Sequence, residues 1–348
     1  MQIEKTQGLS EREYRNLPLL SASDLRTFTT DRKKFYFTKI MGQKQEEEYN
    51  RATLIGSLVH CLILEPENFD ERYFLSSIEN MPTGLMLALT EALYKITIQN
   101  TNENGEITCE FGEIFQQAYT ESGFKIGIEA VLKKFTGSSS EAYYQQLRDS
   151  KAKNLQVVTL ADINIANKIV ETAKNHPYTV QILNAECGNR FKVYNEIQVE
   201  SFDILGIQMK GMLDKVIVDL ESKTIQIYDL KVVFDTVNFY REYFLKKRAD
   251  IQRYIYWKAI KSYFIEEYPD FEVLPPIFLT LDSGCFYAPI LYPMTKQDLQ
   301  KAFSGFVLNE REYKGVENII DDIRFCTEHN TWNTSSELMF TNGFKQLA

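Results

Sequence analysis

Asp229-Leu-Lys231 closes an apolar run of Ile225, Ile227, Leu230, Val232 and Val233, rich in β-branched residues. An Asp and a Lys two apart on a strand point to the same face. Residues 210–233 read as a β-hairpin with a polar turn at 219–223, and an antiparallel partner brings Asp214 to that face too. On the first strand, Met212, Val216 and Val218 share a register. Two carboxylates and an ammonium on one side of a sheet suit a Mg²⁺ site that hydrolyses phosphodiesters. The triplet alone says little. Asp-x-Lys recurs at 31–33 and 149–151 in polar helical surroundings, where it reads as a surface ion pair worth little. The strand setting, one hairpin after Gly-Met-Leu-Asp214, separates the copy at 229–231 from those two.

Other residues join this set by type and spacing. His60 lies in an apolar helix over 52–64, four residues after Gly56 and on its face. Glycine there costs about 1 kcal/mol of helix propensity, so it is expected to let the helix approach a strand closely. A neutral imidazole at 60 is either a core histidine bonded to backbone or a ligand for a second divalent ion. Gln252 and Tyr256 share one face of a helix over 249–268, placed to bond a phosphate or to hold Lys231. The plainer alternative is a polar patch beside the aromatic stripe of Tyr254 and Trp257. Glu196, on the strand before Asp214, either adds a carboxylate or is an exposed strand residue.

Around these residues the chain reads as mixed α/β. Ser21 or Ser23 caps a helix carrying Leu25, Phe28, Phe35, Tyr36 and Phe37, followed by a charged loop at 43–50. Residues 80–155 are helical patterns separated by polar turns and read as a helical insertion. A capped amphipathic helix at 159–175 leads to strands at 190–200, 204–219 and 224–233. Helices at 236–246 and 249–268 come next. A hairpin at 275–281 and 285–292, a helix at 295–313 and an aperiodic tail from 326 complete the chain. This gives segments 1–79 and 156–348 as one core and 80–155 as a subdomain.

The chain has 348 residues, 44% hydrophobic and 13% aromatic, which indicates a globular protein with a substantial core. Its apolar runs are too short to span a membrane and its N-terminus lacks a signal-peptide core, so a cytoplasmic location is expected. Five cysteines, none in a CxxC pair, fit a reduced compartment and disfavour structural zinc or an iron–sulfur cluster. A net charge of −9 counts against a chain coated in nucleic acid but leaves room for a local basic groove. Basic residues cluster at Lys246, Lys247, Arg248, Arg253, Lys258 and Lys261, and again at Arg26, Arg32, Lys33, Lys34 and Lys39.

In order, Gly56-x-x-x-His60, Gly211-Met-Leu-Asp214, Asp229-Leu-Lys231 and Gln252-x-x-x-Tyr256 resemble the GxxxH, D, DxK and QxxxY elements of PD-(D/E)XK nucleases. The exodeoxyribonuclease VIII type of phages and prophages is the most similar, over about residues 18–75 and 190–265. Val232 stands where a small hydroxyl residue often follows the lysine, and Leu213 where a proline usually precedes the first aspartate. The resemblance implies a restriction-endonuclease-like core, a central mixed β-sheet flanked by helices, with 80–155 as an unmatched insertion. It implies an exonuclease acting on double-stranded DNA ends, 5′→3′, with two Mg²⁺ or Mn²⁺ ions. Asp214, Asp229 and the Leu230 carbonyl would hold metal, His60 would help hold a second ion, and Lys231 would orient the attacking water. Gln252 and Tyr256 would position the strand or Lys231, and Lys246, Lys247, Arg248 and Arg253 would track phosphates. A homo-oligomeric ring around DNA and a single-strand annealing protein are the partners it implies, in a bacterial or phage-infected cell. An endonuclease, or a silent nucleic-acid-binding protein on the same fold, are the alternatives.

Overall fold

The computed structural model describes residues 9–43, 51–102 and 104–333. Most of the charged loop expected at 43–50 and the end of the tail, 334–348, lie outside them. The described chain divides into two compact units, residues 1–65 with 167–348, and residues 66–166.

In the first unit the β-branched runs form a mixed sheet. Phe191–Ile204 (β1), Ile207–Asp219 (β2) and Thr224–Val233 (β3) are an antiparallel meander. β3 pairs in parallel with Glu272–Val273 (β4) and Ile277–Asp282 (β5), and β5 pairs antiparallel with Ile290–Pro293 (β6). The longer helices of this unit are Ala22–Thr30 (α1), Arg51–Leu64 (α2), Leu160–Asn175 (α3, from residue 167 onward), Ala249–Tyr263 (α4), Lys296–Ser304 (α5) and Val316–Glu328 (α6). α4 packs on β1, β2 and α1, and α6 on α1, closing a core of Leu25, Phe28, Ile255, Ile260, Ile319 and Ile320 over the sheet.

The period-2 alternation of β1 and β2 breaks at one level in both strands. Tyr194 and Ile197, three apart, both belong to the core, as do Leu213 and Val216. Between them, Glu196 takes a left-handed φ of 49°, an uncommon conformation for a non-glycine residue. The expectation that Met212 shares the buried register is corrected here: Leu213 is fully buried and Met212 only partly. The break releases Glu196 and Asp214 from the apolar alternation.

Several elements differ from the sequence reading. The basic helix breaks at Asp31, whose carboxylate accepts the Lys34 N–H at 2.9 Å and starts a separate turn, Arg32–Phe35. The helix expected at 236–246 is a π-helical turn, Tyr240–Leu245. The helix expected at 295–313 stops at Ser304, and Phe306–Leu308 (β7) and Arg311–Tyr313 (β8) form a hairpin instead. Asn309 and Glu310 both have positive φ, as a tight two-residue hairpin turn requires. Gly305 and Gly315 cross at the hairpin's base, where a Cβ on Gly315 would lie 2.1 Å from the Phe303 carbonyl oxygen. The strand expected at 285–292 begins only at Ile290, and α6 fills a stretch that includes Cys326 of the supposedly aperiodic tail.

The second unit holds helices Gly84–Gln99, Phe111–Ser122, Ile128–Phe135 and Ser139–Ala152 around Leu89, Leu93, Phe115, Phe135 and Tyr144. A parallel strand pair, Tyr73–Leu75 with Gln156–Val158, belongs to it and makes it wider than the 80–155 stretch.

Candidate metal centre

α2 presents Leu54, Ile55, Leu58, Val59 and Cys61 to the interior and packs on β2 and β3. Its C-terminal carbonyls are tied down: the Leu62 oxygen accepts Lys174 Nζ at 3.3 Å and the Leu64 oxygen accepts Asn195 Nδ2 at 2.9 Å. This fixes His60, one turn back, with Nδ1 3.9 Å from Asp214 Oδ2. Gly56 does not serve close packing. Nothing lies within 4 Å of the position its Cβ would take, so the glycine leaves open space one turn before His60.

Asp214 is oriented from β3, whose Leu230 N–H donates to Asp214 Oδ2 at 2.7 Å. Opposite it on β1, the backbone twist at Glu196 brings in a third group. Ligand atoms of His60, Glu196 and Asp214 all lie within 4.8 Å of one another. Burial raises the Asp214 carboxyl above its ordinary range, and the neighbouring Asp229 charge raises it further; His60, Lys231 and the Leu230 N–H offset part of this. Two carboxylates and an imidazole, one carboxylate destabilised by burial, form a donor set that a divalent cation would satisfy.

Asp229 is not one of these three, although its charge acts on Asp214 and that of His60 on it. Its buried carboxylate lies 2.5 Å from Lys231 Nζ and 2.7 Å from Arg253 Nη2, though neither oxygen receives a well-directed hydrogen bond. Burial pushes its carboxyl up, but the Arg253 and Lys231 charges outweigh that and hold it below the usual range. Phe278 is the register partner of Asp229 on β5, and the Arg253 guanidinium lies over its ring at 3.3 Å from the centroid. Lys231, with 26% of its side chain exposed, is the solvent-facing partner of Asp229; Arg253 is the interior one.

Two expected phosphate contacts are therefore corrected. Arg253 is fully buried and serves Asp229. Arg248 is 7% exposed, clamps Asp250 through two hydrogen bonds of 3.0 and 2.9 Å, and donates to the Lys314 carbonyl. Lys246 and Lys247 are exposed, the first beside Glu242 and the second over the Tyr243 ring. Gln252 Nε2 donates to the Tyr256 hydroxyl at 2.7 Å, so the two form a pair on α4. Burial, then the nearby Asp229 and Asp214 charges, raise the Tyr256 hydroxyl well above its ordinary range, so it stays a neutral donor. Arg253 was misread because a basic residue beside Gln252 looks like any other in a basic cluster. The signal that could have found it is helical spacing, since it shares the buried side of α4 with Ile260.

No protein-family model and no curated protein matches the chain. Among solved structures, a protein from Eubacterium rectale described as "Putative exonuclease" is similar, with a TM-score of 0.48 and 12% identity, over 99% of this chain and 96% of that one. A likeness of that degree leaves the function to be argued from the site.

Proposed function

We propose that this chain is a divalent-metal-dependent nuclease, an exodeoxyribonuclease that degrades linear double-stranded DNA. The observation that carries the reading is the gathering of His60, Glu196 and Asp214 within 4.8 Å, directly beside the Lys231–Asp229 pair. The resemblance of the motifs, in their order, to exodeoxyribonuclease VIII-type nucleases is what implies the exonuclease class, and with it 5′→3′ polarity and a role in phage-type recombination.

In this reading His60, Glu196 and Asp214 hold a Mg²⁺ or Mn²⁺ ion, with the Leu230 carbonyl as a further hard oxygen. A second ion would draw on Asp229. Such a cation, when bound, polarises the scissile phosphate and offsets its developing charge. The chain's own groups do the rest. The Leu230 N–H holds the Asp214 carboxylate in one orientation. Lys231 swings from Asp229 to orient the attacking water and to neutralise charge on the phosphate. Arg253 stays on Asp229 when Lys231 leaves, so no buried carboxylate is left uncompensated. The Gln252–Tyr256 pair positions the scissile strand or Lys231, and Lys246 and Lys247 follow the phosphates. Gly56 leaves room for substrate one turn from His60. An annealing protein and a homo-oligomeric ring are the partners that this class of enzyme suggests.

The test compares linear duplex with covalently closed circles in Mg²⁺ or Mn²⁺. Release of mononucleotides from the linear form alone, lost in Asp214→Asn, is the expected result. Circle cutting makes the chain an endonuclease instead. Binding without cleavage in either metal makes it a nucleic-acid-binding protein and overturns the reading.

A further inference from the structure

Phe234 and Phe286 are 85% and 84% exposed, the most exposed large apolar side chains among the described residues. Both follow the carboxyl ends of adjacent parallel strands. Val233 of β3 and Asp282 of β5 are register partners, and the Ser283 N–H donates to the Val233 carbonyl at 2.8 Å. The two rings therefore stand on neighbouring turns at one end of the sheet.

Neither turn is loose. The Asp282 carboxylate, only 6% exposed as a residue, accepts the N–H groups of Gly284, Phe286 and Tyr287 at 2.8–2.9 Å. Tyr287 packs edge-on against Phe286 at 5.0 Å. After Phe234, the Asp235 carboxylate accepts the Val237 and Asn238 N–H groups, and the Tyr292 hydroxyl donates to the Thr236 carbonyl at 2.6 Å. Phe239, fully buried against Phe278, anchors the segment. Two phenyl rings are thus held in water by a prepared backbone, where the hydrophobic effect alone would fold them away.

Charge indicates the occupant. The segment after Phe234 interleaves aromatic and basic residues, with Tyr240 half exposed and Arg241, Lys246 and Lys247 exposed; Glu242 pairs with Arg241 and Lys246, and the basic residues outnumber it. The nearby Asp235 and Asp282 carboxylates are taken up by their own turns. Exposed rings on turns that lead into a segment with an excess of basic residues fit nucleotides, whose bases stack while their phosphates pair. Phe234 is three residues beyond Lys231, about 10 Å along an extended strand.

We infer that Phe234 and Phe286 form a stacking platform for unpaired bases of the substrate, within a few nucleotides of the scissile phosphate. The inference rests on the nuclease reading for its location and goes beyond it by assigning a base-binding function to two residues outside the metal centre.

The experiment uses the full chain in EDTA, with fluorescent dT12 and an abasic 12-mer that keeps the phosphates and lacks the bases. Wild type is expected to bind dT12 more tightly than the abasic strand. Phe234→Leu and Phe286→Leu each lower dT12 affinity about fivefold or more and leave abasic binding unchanged, while Phe→Trp at either position restores it. Lys246→Ala with Lys247→Ala weakens both strands alike. Equal binding of the two strands by wild type, or unchanged discrimination in the double Phe→Leu variant, overturns the inference. So does a double variant that keeps its DNA affinity while a multimer dissociates in sedimentation, which makes the rings an interface between copies. Cleavage of linear duplex is measured in parallel. Cleavage without base discrimination removes the platform and keeps the nuclease; discrimination without cleavage does the reverse.

Discussion

The two compact units bury different chemistry. In residues 66–166 the buried polar side chains are mostly hydroxyls, Ser76, Thr90, Thr97, Ser122, Ser140 and Ser150, together with Asp162. Their partners lie within the same unit: Thr97 donates to the Leu93 carbonyl and lies 2.8 Å from the Tyr144 hydroxyl, and Ser76 donates to Gln146 at 2.7 Å. In the sheet-bearing unit the interior holds charges of both signs, among them Lys210, Asp214, Lys215, Asp229, Asp250 and Arg253. A buried charge costs several kcal/mol unless paired, and apolar replacements often stabilise. Lys210 is spent on the Tyr14, Arg15 and Leu17 carbonyls and Asp250 on Arg248, whereas Asp214, Asp229 and Arg253 act on one another together with Lys231, and that group is the one chemistry explains. A unit whose buried polar side chains are nearly all hydroxyls, with Asp162 taken up by the Thr159 N–H and hydroxyl, needs no further explanation than its own packing.

That contrast can be broken in several ways, the first with the largest expected effect. Asp214→Asn lowers the cleavage rate about 10²–10³-fold or more, whereas Thr97→Val leaves cleavage rates within twofold; comparable losses from both would erase the distinction. Next, Arg253→Met strands Asp229 without its interior partner. Urea unfolding is expected to show a loss of about 3–5 kcal/mol, most of it recovered when Asp229→Asn is added. A loss that the double variant does not recover would mean that Arg253 acts through packing on Phe278 alone. A third prediction concerns pH. Burial lowers the Lys215 ammonium to about 8 from its ordinary 10.5. Between those values the unfolded chain binds more protons, so stability in EDTA rises with pH across that window. Lys215→Met removes that rise, which is bounded at about 3 kcal/mol. Urea titrations at pH 7.5 and 10 for the two proteins decide it. The smallest effect belongs to the other unit: Tyr144→Phe costs about 1 kcal/mol, the value of one buried hydrogen bond.

Much of the site was legible because strand chemistry is local. Asp229-Leu-Lys231 lies in a run of β-branched residues with no other charge, while the copies at 31–33 and 149–151 are exposed on helices. The hairpin and the mixed sheet followed from the same runs. Asp229 and Lys231 do share a face, and His60 does reach Asp214. Glu196 was legible only as one option, because its place depends on a left-handed backbone that no residue-type preference announces. The partner of Asp229 was not legible, since Arg253 meets it through tertiary packing of α4 on the sheet. The hairpin at 306–313 was hidden by an apparent helical continuation, and it exists because Gly305 and Gly315 let two backbones cross. Gly56 shows the opposite error: a glycine read as a packing device opens space instead.

The central claim is that His60, Glu196 and Asp214 hold one divalent cation. A Mn²⁺ titration of the full chain followed by the loss of the free-ion paramagnetic resonance signal tests it without reference to cleavage. A saturable site is expected, weakened at least tenfold by His60→Ala, Glu196→Gln or Asp214→Asn and unchanged by Thr97→Val. Saturable binding that none of the three substitutions alters would contradict the account.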